Sequence, residues 1–77
     1  MNTPPTVLAL APRSHGQVAV HDARTGTLKR VINYHGRLVD TQVSGTTGVL
    51  LIQERIGLYG HVYNLTNGAL QSRFRAQ

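Results

Sequence analysis

Apolar and polar residues alternate along most of this 77-residue chain, a period-two pattern that belongs to half-buried β-strands. Residues 6–11 form a first predicted strand with little polar relief. Residues 17–21 alternate cleanly and set Val18 and Val20 on one face. Residues 28–32 alternate again, with Leu28, Arg30 and Ile32 on one face and Lys29 and Val31 on the other. Residues 38–43 bring Val39, Thr41 and Val43 together. Residues 49–52 are the most apolar run and predict a central, buried strand, although residues 49–56 taken alone also leave a short helix open. Residues 53–60 carry two glycines and end that strand or turn it into a hairpin. Residues 61–65 place Val62 inward, and residues 70–75 close the series with Leu70 and Phe74 inward.

Turn residues punctuate these runs. Residues 12–16, 22–26, 44–48 and 66–68 each contain glycine, usually beside Asp, Asn, Ser or Thr. Such residues bend the chain by local side-chain hydrogen bonds or by left-handed backbone. The spacing predicts an all-β domain of about seven short antiparallel strands joined by hairpins, covering residues 6–75. Pro4 and Pro5 make residues 1–5 a flexible lead, since paired prolines obstruct strand pairing. Residues 76–77 are a tail.

Two stretches repeat each other. Residues 19–28, AVHDARTGTL, align with residues 61–70, HVYNLTNGAL, at an offset of 42. Val20 falls on Val62, Asp22 on Asn64, Gly26 on Gly68, Leu28 on Leu70 and Ile32 on Phe74. Each pairing keeps a physical role: inward apolar, short polar turn-former, flexible glycine, inward apolar.

The strand, D-x-x-T-G turn and following strand of residues 18–28, with a 42-residue period, resemble the blades of β-propellers of the WD40 or quinoprotein type. Such blades have four strands and repeat about every 40 to 45 residues. The resemblance implies a partial blade over about residues 7–32 and a full blade over about 38–75, with Tyr34, His35 and Gly36 at the start of the latter. The motif departs from the family at three places. His21 and Tyr63 stand where a tryptophan is expected, Asn64 replaces the aspartate, and the order is His35-Gly36 rather than Gly-His. Two blades cannot close a ring, which takes at least about four. Either several chains assemble, a trimer giving six blades, or the strands close on themselves as a small β-barrel.

Composition adds weight to assembly. A chain this short buries a modest core and often gains stability from disulfides, metals or partners. It has no cysteine, which removes disulfides and thiolate metal sites and fits a reducing compartment such as the cytoplasm. No positively charged leader precedes an apolar segment, and the apolar stretch at residues 7–11 is too short for a membrane span. A homo-oligomer is therefore the expected state, with a protein or nucleic-acid partner also open and no membrane.

Charge supplies the rival. Eight Lys and Arg against three Asp and Glu give +5, and arginine grips phosphates with a planar fork. A small basic barrel binding DNA or RNA, for instance as a regulator, would use Arg24, Lys29, Arg30, Arg37, Arg55, Arg73 and Arg75, with Tyr34, Tyr59 and Tyr63 as stacking platforms. Each of these residues also has a plainer use as a solvated charge or a sheet-surface aromatic.

Catalytic patterns are missing from the sequence. No G-x-S-x-G elbow surrounds Ser14 or Ser44, and the glycine loop at 45–48 lacks the lysine of a phosphate-binding loop. His15, His21, His35 and His61 show no metal-ligand spacing. Asp22 is a turn former, Asp40 a solvent-facing or Arg-paired strand residue, and Glu54 beside Arg55 a solvated strand end. The expectation is a non-catalytic binding or assembly module that self-associates through sheet surfaces, with no cofactor and no metal.

Overall fold

The computed structural model describes residues 6–77, so the expected flexible lead at 1–5 lies outside the described residues. The described chain forms seven strands: β1 (Leu8–Pro12), β2 (Gln17–Asp22), β3 (Leu28–Asn33), β4 (Arg37–Ser44), β5 (Thr47–Glu54), β6 (Gly57–Asn64) and β7 (Ala69–Arg75). All pairings are antiparallel and join consecutive strands. They make two sheets, β1-β2-β3 and β4-β5-β6-β7. Among the described residues there is no helix, hence none long and apolar enough to cross a membrane.

The two sheets pack face to face and do not close into a barrel, which removes that alternative. β1 and β4 touch across the gap. Directly opposed residues of neighbouring strands share a face, so the registers identify what each sheet turns inward. The first sheet contributes Leu10, Val18, Val20 and Ile32, and the second Leu38, Leu50, Ile52 and Tyr63. Val18, Val20, Ile32, Leu50, Ile52, Tyr63 and Leu65 form one buried cluster, with Leu8, Leu10, Tyr34 and Leu38 against it. Burying a Val, Leu or Ile side chain stabilises by about 1.5–3 kcal/mol, so this small cluster is the main adhesive between the sheets. Residues 49–52 are indeed the heart of it, as strand rather than helix.

The repeat is visible in the geometry. In the β2–β3 turn, the Arg24 N–H donates to Asp22 Oδ1 (2.8 Å) and the Gly26 N–H to the Asp22 carbonyl (2.8 Å). In the β6–β7 turn, the Thr66 N–H donates to Asn64 Oδ1 (2.8 Å) and the Gly68 N–H to the Asn64 carbonyl (2.7 Å). Gly26 and Gly68 both sit at φ 78°, a left-handed value that residues with a Cβ resist. Even the irregularities match. A β-bulge falls between Val20 and His21 in one hairpin and between Val62 and Tyr63 in the other.

The registers correct several of the expected faces. The first bulge slips Leu28 opposite His21, away from Arg30 and Ile32, and leaves it half exposed. A third bulge, between Leu38 and Asp40, takes Val39 out of phase with Thr41 and Val43. Val62 faces away from the core because its neighbour Tyr63 opposes Gly48, where Leu65 fills the space of the missing side chain. Leu70, opposite Tyr63, keeps to the inner face as expected, whereas Phe74, opposite Gly60, turns to the outer one; both are about half exposed because β7 is an edge strand whose every residue is exposed.

Candidate functional site

The antiparallel meander divides the basic and aromatic residues between the two ends of the sheets. Arg24, Lys29 and Arg30 lie at the end that holds the β2–β3, β4–β5 and β6–β7 turns. Arg24 is exposed in its turn. Lys29 and Arg30 border a cleft of about 480 Å³ with Thr66 and Leu65. Arg30 reaches across to the second sheet, its Nη2 donating to the Thr66 carbonyl. Arg37 lies at the opposite end, in a cleft of about 530 Å³ shared with Arg13, His15 and Tyr34. Arg55 forms the tip of the β5–β6 hairpin there. Arg24, Lys29 and Arg30 thus stand apart from Arg37 and Arg55.

The densest polar cluster was missed by sequence reasoning. Glu54 ends the inward row Leu50, Ile52, Glu54, one residue in two along β5. His61 lies on the same face of β6, and Arg73 is its direct partner on β7. Arg73 holds the Glu54 carboxylate with both fork nitrogens, Nη2 to Oε1 at 2.6 Å and Nε to Oε2 at 3.1 Å. His61 Nε2 donates to Oε2 at 2.6 Å. Glu54 is therefore the centre of an ion-pair network, not a solvated strand end. The hydrogen bond from Arg73, then that from His61, lowers its pKa from 4.5 to about 2. Glu54 in turn raises Arg73.

Aromatic residues complete this corner. The Arg73 guanidinium stands 3.8 Å from the centre of the Tyr59 ring, and Arg75 lies 5.9 Å from it. Arg75 also donates to the carbonyls of Gln77 (3.0 Å) and Ile56 (3.4 Å). Tyr63 is buried, and that burial raises its hydroxyl pKa. Tyr34, His35 and Arg55 face Glu54, His61 and Arg73 across a cleft of about 420 Å³. Both oxygens of the Glu54 carboxylate there accept hydrogen bonds from within the chain. The period-two row from Leu50 to Glu54 was the one available sign that this carboxylate faces inward.

Other residues have local uses. Asp40 is exposed and accepts from the Thr41 N–H at 2.8 Å. The His21 Nδ1–H donates to the Gly26 carbonyl at 3.0 Å. Among the described residues, no three of His, Cys, Asp and Glu converge as a metal site requires.

More apolar surface lies on the outer faces of the two sheets. On the second sheet, the registers place Val49, Leu51, Leu58, Val62 and Phe74 on the face turned away from the first. Phe74 is 49% exposed. With Asp40 and Gln42, three of these line a hollow of about 220 Å³. On the first sheet, Ala9, Ala11, Val31 and half-exposed Leu28 face away from the core beside His21, with Ala19, itself buried, among them. No family model, curated protein or solved structure matches the chain.

Proposed function

We propose that this chain is a non-catalytic assembly module that associates with copies of itself through the outer faces of its two sheets. The observation that carries this reading is the row of partly buried Val49, Leu51 and Val62 with half-exposed Phe74, on the face of the second sheet turned away from the first. Contiguous apolar patches on soluble chains mark interaction surfaces. The small core supports it too, because a chain of this size gains from burial against partners. A ring of three chains, bringing six blade-like sheets together, is the size the propeller resemblance implies. A cysteine-free chain suits the cytoplasm as the place of assembly.

Nucleic-acid binding draws less support. Arg30, Arg73 and Arg75 make hydrogen bonds within the chain, and the remaining basic residues are split between opposite ends. Light scattering during size exclusion tests the proposal. The expected mass is a fixed multiple of one chain, falling to one chain in Phe74→Glu. A wild-type mass of one chain across the accessible concentration range overturns it.

A further inference from the structure

The strand registers relate the two sheets in a way that specifies how a second copy docks. Leu10 pairs with Val20 as Val49 pairs with Val62, and Val18 and Ile32 stand 42 residues before Gly60 and Phe74. The bulges and turns fix this correspondence independently of the side chains. So the face that the first sheet buries, Leu10, Val18, Val20 and Ile32, has as its counterpart the outer face of the second sheet. By the same registers, Ala11, Ala19, His21 and Val31 on the outer face of the first sheet correspond to Leu50, His61, Tyr63 and Arg73, on the inner face of the second.

Within the chain, then, the two copies of the repeat meet through opposite faces. The face left over on one sheet is the counterpart of the face already used on the other. Resting on the assembly reading above, we infer that copies of this chain dock head to tail, the outer face of the second sheet of one copy receiving the alanine face of the first sheet of the next. The relief fits. Phe74, Leu51 and Val62 stand on one face, and the other is low where the small side chains of Ala9 and Ala11 flank buried Ala19, with half-exposed Leu28 beside His21 at its turn end. A contact between unlike patches is heterologous, and repetition yields a ring or a filament, whereas a contact between like patches stops at a dimer.

Face-blocking variants test this. Phe74→Glu blocks the face of the second sheet and Val31→Glu that of the first. Circular dichroism establishes that each variant keeps its strands, and Leu51→Lys or Ala11→Lys replaces one that does not. Each variant alone is expected to have the mass of one chain at concentrations where the wild type is assembled. An equimolar mixture is expected to double that mass and go no further, because each partner keeps one competent face. A wild type that assembles while the mixture stays at one chain, up to tenfold higher concentration, overturns head-to-tail docking. So does a blocked variant that still forms a dimer by itself. A wild type with the mass of one chain instead overturns the assembly reading beneath it.

Discussion

The Phe74 ring lies over the backbone of Gly60, so close that a Cβ on residue 60 would stand 2.2 Å from its Cζ. The two residues are direct cross-strand partners on β7 and β6. The missing side chain of one makes room for the ring of the other, and the ring in turn covers exposed backbone. Gly60→Ala is expected to push the ring outward. Phe74 is half exposed and can swing, so the loss of stability falls at the low end for overpacking, about 1 kcal/mol. The displaced ring disturbs the outer face, so the assembled mass falls as well. Urea denaturation and light scattering measure the two effects, and an unchanged mass would separate the Gly60 contact from assembly.

The paired turns predict a reciprocal exchange. Asp22 and Asn64 each use Oδ1 to hold the N–H two residues on. Both side chains can do this, so Asn64→Asp and Asp22→Asn are expected to change stability by less than about 0.5 kcal/mol. Truncation to Ala at either position removes the acceptor and is expected to cost about 1 kcal/mol. Chemical denaturation of the four variants gives the comparison. A large loss on exchange would mean that the turns differ beyond their shared hydrogen bonds.

The Glu54 network predicts a pH dependence. The folded-state pKa of Glu54 is lowered from 4.5 to about 2, so its contribution to stability is fully present above pH about 4.5. That contribution declines as pH falls and is lost on passing through about 2. Wild-type stability should fall across this window more steeply than that of Glu54→Gln, which keeps the shape and removes the titrating group. Thermal melts from pH 5 to pH 2 provide the curves, and parallel slopes for the two proteins would contradict the network.

Much of this fold was legible because strands and turns are local. Alternation located Val18 and Val20, the run at 49–52 marked the central strand, and the matched glycines 26 and 68 exposed the repeat. The misreadings have one origin. A β-bulge adds a residue without any required residue type, and each one shifts every later side chain to the other face. Leu28 and Val39 were misplaced in this way. Phe74 was misjudged for another reason: hydrophobicity says that a ring seeks cover, not whether the cover comes from a core, a glycine or another chain. The Glu54, His61 and Arg73 cluster joins three strands, and its members stand at unremarkable spacings. The sequence showed the basic residues as a list, whereas the meander decides which end each occupies.

The link between the sheets is only three residues long, from Tyr34 to Gly36. Since each sheet pairs only neighbouring strands, the first can form before β4 to β7 have left the ribosome. Its apolar face then waits for Leu50 and Ile52 to emerge. A tether this short holds the later sheet at an effective concentration of about millimolar or above, so capture by the same chain outruns capture by a neighbour. Lengthening the tether would weaken that kinetic advantage and let nascent chains exchange sheets, turning a step in folding into a route to entanglement.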